Sequence, residues 1–334
     1  MIPHTVIPLQ TENWQEELSR AIRNPRELFE LLDLDPADLP SSLTAHDDFK
    51  LNVPRPYLAK IRRGDINDPL LAQVLPVGRE LVPTTGYSID PLGEKAANPA
   101  PGLIHKYYGR VLLVVSPACA IHCRYCFRRH FPYEDNQPGR LQWQQALDYI
   151  AANPGISEVI LSGGDPLAAN DQHLRWLTTQ IAAIAHVTRL RVHTRFPVAI
   201  PSRINNDCLR WLGETRLKTI VVLHVNHPNE LGDDTQQAVA RLKNAGIDVL
   251  NQAVLLKSVN DDADTLVELS EKLYAHGILP YYLHVLDTVQ GAAHFAVDLD
   301  SIHELQEQMR TRLPGYLVPR VVIEKPGATA KVPF

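Results

Sequence analysis

From residue 111 onward the chain repeats one phrase, a short run rich in β-branched residues followed by a stretch of helical period. The runs are VLLVV (111–115), EVILS (158–162), RLRVHT (189–194), TIVVLHV (219–225), DVLNQAVLL (248–256) and YYLHVL (281–286). Among the intervening stretches are LQWQQALDYIAAN, DQHLRWLTTQIAAIA, DDTQQAVARLKNAG and DADTLVELSEKLYAHG, the last two closing on a glycine suited to ending a helix. Six such units predict an α/β fold whose parallel sheet, joined by right-handed crossovers, either curves into a partial (β/α)6 barrel of the TIM type or stays open and doubly wound. Both architectures place ligands at the carboxyl ends of the strands. That rule sorts the motifs that follow.

The first hundred residues read differently. Helical patterns such as WQEELSRAI and PRELFELLDL give way to proline-punctuated segments, LNVPRPYLAKI and ANPAPGLIHKYYG. The expected organisation is a helical, wrapping region over 1–100, a barrel core over 101–295, and a C-terminal helix and tail over 296–334. Thirty-three basic against thirty-eight acidic side chains leave a net charge of −5, which offers no global field to gather nucleic acid. The N-terminal stretch MIPHTVIPLQTENWQEELSR has no leader pattern, and no apolar run reaches the roughly 18 residues of a membrane span. A cytoplasmic protein with no membrane contact is the expectation.

Three of the four cysteines fall within eight residues in SPACAIHCRYCFRRHF, directly after the first predicted strand, so the sheet topology puts them at its functional end. In a reducing compartment such a cluster suits metal or redox chemistry better than a disulfide framework. A thioredoxin-like pair of Cys123 and Cys126 would leave Cys119 idle. A structural zinc site would need a fourth ligand, for which His122 or His130 are the nearby choices. The third reading is an iron–sulfur cube held by Cys119, Cys123 and Cys126, with its fourth iron open to a small-molecule ligand. Cys208, in NNDCLRWLG, reads as a buried small hydrophobe. One βα unit later comes LSGGDPL, with Gly163, Gly164 and Asp165 just past the second predicted strand.

The C-x3-C-x2-C loop after the first strand, followed by that glycine turn, resembles the radical S-adenosylmethionine superfamily. The resemblance implies a [4Fe-4S] cluster on the three cysteines, with S-adenosylmethionine chelating the open iron and the Gly163–Asp165 turn close to its methionine end. HKYYGRVLLVV, HVNHPNE, NQAVLLKSVND and PYYLHVLDTVQGAAHF narrow the likeness to the lysine 2,3-aminomutase family, in the same order from about residue 85 onward. That family shifts an amino group of L-lysine from the α to the β carbon with the help of pyridoxal phosphate. The resemblance makes Lys331, in PGATAK, the residue that bonds this cofactor, in preference to Lys325. It gives the cofactor's phosphate to Lys106, Tyr107 and Arg110, with Tyr281 as a further contact. It gives the substrate's carboxylate to Arg128 and its side-chain ammonium to Asp287 and Glu324.

There are departures. Two expected glycines of the lysine turn are Ala328 and Thr329, Glu324 stands where the free-lysine enzymes have aspartate, and Asp262 falls where one of their additional cysteines would. The C-terminal cysteine cluster that holds an interface zinc in those enzymes has no counterpart, so any homo-oligomer must form without it. The tail, CFRRHFPY and GYLVP resemble most closely the branch that makes (R)-β-lysine for elongation factor P, where a separate ligase attaches it. The implied partners are L-lysine, a flavodoxin- or ferredoxin-type electron donor, and a functional link to elongation factor P and that ligase. The alternatives are a free-lysine aminomutase making (S)-β-lysine for metabolism and, in another class, a metal knot in a translation-associated binding module.

Overall fold

The computed structural model describes residues 13–134, 136 and 139–334, so the stretch read for a leader lies largely outside it. Among the described residues nine strands form one sheet in chain order: β1 (Leu103–Tyr107), β2 (Arg110–Ser116), β3 (Glu158–Gly163), β4 (Arg189–Thr194), β5 (Lys218–His224), β6 (Asp248–Val254), β7 (Leu279–His284), β8 (Arg320–Ile323) and β9 (Val332–Pro333). Strands β2 to β8 are parallel neighbours, while β1 and β9 are antiparallel at the two edges, and β1 does not pair with β9. The barrel is therefore partial. All six predicted strands are present, and β8 adds a seventh parallel one. HKYYGR forms a hairpin between β1 and β2, with Tyr107 opposite Arg110.

The interior of the sheet is a cavity because the strands alternate. In β4, Leu190, Val192 and Thr194 are buried while Arg191 and His193 line the cavity; in β6, Val249, Asn251 and Ala253 are buried while Gln252 and Val254 line it. The apolar set packs under helices Arg140–Ala152, Asp171–Ala183, Asp233–Asn244 and Ala263–Ala275, each of which buries an apolar stripe. Helices Asp233–Asn244 and Ala263–Ala275 close on Gly246 and Gly277 at φ +76° and +78°, left-handed positions that favour glycine. Asp262 caps the second of these, accepting from Thr265 N at 2.8 Å, which explains an aspartate there.

The N-terminal region is continuous with this core. Trp14, Leu28, Leu51, Tyr57 and Leu71 belong to the same buried cluster as Val159, Leu190 and Val321. Lys60 Nζ donates to Val198 O, Glu230 O and Thr235 Oγ1 at 3.2, 3.1 and 3.0 Å, tying this region to the loops after β4 and β5. Among the described residues no helix is long and apolar enough to cross a membrane.

Candidate active site

A cavity of about 380 Å³ takes in the carboxyl ends of the strands, and all fourteen site positions named from the sequence line it. Its sulfur end is the loop after β2. Asn52 Nδ2 donates to Cys119 O and Ala120 O at 3.2 and 2.8 Å, and its carbonyl accepts from His122 N at 3.0 Å. Arg124 is fully buried, with Nε and Nη2 donating to the two oxygens of Glu80 at 2.8 and 2.6 Å, and Arg129 reaches the same carboxylate at 3.0 Å. The N-terminal region thus fixes the loop that presents the cysteines.

Burial raises the Cys119 thiol well above its ordinary pKa and pushes Cys126 up to about 11. Arg195, the first residue past β4, donates from Nη1 to Cys123 Sγ at 2.7 Å. His122 stacks on Phe49 and shares Nδ1 with Lys50 O, and His130 Nε2 meets Gln290 O. Among the described residues no three His, Cys, Asp or Glu side chains gather closely enough to hold a single metal ion.

The glycine turn packs against the same loop. Gly163 sits at φ +124°, and a Cβ on Gly164 would fall 2.6 Å from Ala118 O and 2.7 Å from Pro117 O. Gly164 N and Asp165 N donate to Ser116 O and Ala118 O at 2.7 and 2.8 Å. These glycines let the β3 turn lie directly on the backbone leading to Cys119. Asp165 is buried, which pushes its carboxyl up to about 6 against the pull of Arg195 N and Thr194 Oγ1.

The other end is charged. Glu324 accepts from Lys106 Nζ and Lys331 Nζ at 2.6 Å each, one oxygen apiece. Burial would raise its carboxyl, but the two ammonium groups outweigh that and hold it far below the usual range. Asp287 has no such partner among the described residues, and burial beside Glu324 pushes it up to about 7 against the attraction of Lys331 and Lys106. Arg110 lies over the Tyr107 ring at 4.7 Å, and Tyr281 donates its hydroxyl to Tyr282 at 3.0 Å. His193, His224 and His284 are held neutral by burial. Lys325 is exposed and away from the cavity.

Arg128 is not an empty fork. Its Nε and Nη2 pair with the two oxygens of Glu94 at 2.8 and 2.7 Å, and Nη1 donates to Ser162 Oγ at 3.1 Å. Sequence reasoning missed Glu94, an acid on a long irregular segment with no pattern to flag it. It also missed Arg195 and His193, although both stand at the carboxyl end of a strand, where the topology rule points. Arg195 Nε and His193 Nε2 are among the buried atoms on the cavity wall that lack a hydrogen-bond partner among the described residues. Each is a polar site that a bound group would satisfy, one at the sulfur end and one nearer the lysines, and with three thiols and two lysines the donor set fits a cluster and a phosphorylated aldehyde.

Residues 113–270 match the model of the Radical SAM superfamily. The chain is 46% identical over 324 residues to L-lysine 2,3-aminomutase of Escherichia coli, covering 97% of this chain and 94% of that one. It is 46% identical over 331 residues to the enzyme of the same name from Haemophilus influenzae, covering 99% and 98%. The Clostridium subterminale enzyme of that name is 32% identical over 323 residues, covering 96% of this chain and 77% of its own. Streptococcus suis SuiB, solved bound to S-adenosylmethionine, shares the fold at a TM-score of 0.50 with 16% identity, over 66% of this chain and 51% of that one.

Proposed function

The chain belongs to the lysine 2,3-aminomutase family of radical S-adenosylmethionine enzymes, and from that premise we propose that it converts L-lysine to (R)-β-lysine for the modification of elongation factor P. Membership makes it an isomerase that works with a [4Fe-4S] cluster, S-adenosylmethionine and a reductant. In this reading Cys119, Cys123 and Cys126 hold the cluster, and Gly163 to Asp165 border S-adenosylmethionine. Lys331 holds pyridoxal phosphate, with Lys106, Tyr107, Arg110 and Tyr281 around it. When bound, these groups supply a primary carbon radical able to take hydrogen from an unactivated C–H bond, and a carbonyl carbon that carries the migrating nitrogen.

The protein's own part is to bind and orient. Glu94 holds Arg128, which lines the cavity, in one orientation for the substrate's carboxylate. Glu324, whose carboxylate already pairs with two ammonium groups, would offer the same charge to the substrate's side-chain ammonium. Asp287 is the second anion for that ammonium, and its proton leaves as the cation arrives. The neutral histidines keep the cavity wall from competing for either charge. The barrel core over 101–295 carries the radical half of the site, and the tail over 296–334 carries Lys331.

The observation that supports this reading is the single cavity with thiols at one end and the Lys106–Glu324–Lys331 bridge at the other. The test is anaerobic reconstitution with iron and sulfide, then incubation with L-lysine, both organic cofactors and a reductant, with chiral analysis of the product. (R)-β-lysine is expected; (S)-β-lysine would place the enzyme in free-lysine metabolism, and no β-lysine would overturn the reading.

A further inference from the structure

Arg195 is buried, 5% exposed, and every hydrogen bond it makes holds its guanidinium against one thiol. Nη1 donates to Cys123 Sγ at 2.7 Å and to Tyr125 Oη at 3.0 Å. Nη2 donates to Glu230 Oε2 at 2.8 Å, Gln73 Oε1 at 2.7 Å and Tyr57 Oη at 3.2 Å, while the backbone N donates to Asp165 Oδ2 at 2.7 Å. The planar group therefore has one orientation. Its counter-ion, Glu230, is fully buried and also bonded by Gln73 Nε2 and by the backbone of Asn226 and His227. Neither charge can turn away to solvent.

A fixed cation donating to a cluster thiolate favours the reduced cluster, which carries one more negative charge, over the oxidised one. In a buried site the effect is weakly screened by salt. Glu230 acts in the opposite sense from the far side of the same guanidinium. We infer that Arg195 is a positioning residue that sets the reduction potential of the cluster through Cys123, with Glu230 as its counterweight. The inference rests on the proposal that Cys119, Cys123 and Cys126 hold the cluster.

The test compares reconstituted wild type, Arg195→Gln, Arg195→Lys and Glu230→Gln. Iron and sulfide per chain are measured first, and then the reduced fraction is followed by electron paramagnetic resonance during stepwise reduction with a europium(II) chelate. Arg195→Gln should lower the ratio of reduced to oxidised cluster at a fixed potential about tenfold, equivalent to about 59 mV for one electron. Glu230→Gln should raise that ratio, and Arg195→Lys, which keeps the charge without the fork, should fall between wild type and Arg195→Gln. Damage to packing alone has no reason to move the two neutralising variants in opposite directions. If Arg195→Gln fails to hold a cluster, Glu230→Gln decides: an unchanged or lowered ratio overturns the inference. Shifts of the same sign, or loss of the cluster from both, would make the network a structural support only. A wild type that assembles no cluster would remove the ligand assignment, and this inference with it.

Discussion

Single side chains in this cavity can be separated by what they are asked to hold. Cys119→Ala, Cys123→Ala or Cys126→Ala should each abolish cleavage of S-adenosylmethionine, whereas Cys208→Ala, a buried thiol in the helix Asn206–Gly213, should leave it near wild type. Lys331→Ala should lose covalently held pyridoxal phosphate and Lys325→Ala should keep it, as read by mass mapping after borohydride reduction. Asp287 gives a pH signature. Its carboxyl is raised to about 7, so it is neutral below that pH and an anion above it. Affinity for the lysine ammonium should rise as pH climbs through about 7, and the apparent KM should fall several-fold between about pH 6 and about pH 8. In Asp287→Asn that part of the profile should be flat, so the difference between the two profiles isolates this group from the substrate's own amines. These residues were legible because the family's motifs carry them. Glu94 was not, since it meets Arg128 across 34 positions and a lone loop acid is ordinarily solvated.

At the scale of elements, the β-branched runs announced β2 to β7 because each is a short apolar stretch set between stretches of helical period. The edges were harder to see. β1 carries the polar HK pair of a hairpin, β8 has four residues and β9 two, too few for any periodicity, so their pairing is decided by the neighbouring strand. The turn after β3 shows what a pattern can conceal: a Gly-Gly pair reads as a loop, yet the structure uses it for backbone contact with the cysteine loop. Gly164→Ala should therefore force that contact apart, costing about 1–3 kcal/mol and loosening the cluster. Gly155→Ala, where an added methyl meets nothing within 4 Å, is the control. Urea denaturation midpoints and iron retention check both.

For the molecule as a whole, the first hundred residues are less a wrapping than a wall of the site. Asn52, Tyr57, Gln73 and Glu80 reach the cysteine loop or its arginine neighbour, from sequence distances that no local pattern encodes. Asn52→Ala would leave the buried carbonyls of Cys119 and Ala120 without their donor, a loss of about 1–3 kcal/mol. Iron loss to a chelator should accelerate at least about fivefold, with L-lysine and pyridoxal phosphate far from the change. The opposite terminus carries a practical lesson. Lys331 is held because Val332 and Pro333 zip onto β8 and Phe334 N bonds Val321 O at 3.0 Å. A purification or imaging handle placed at this short strand would tug on those few bonds, so such handles belong elsewhere on the protein.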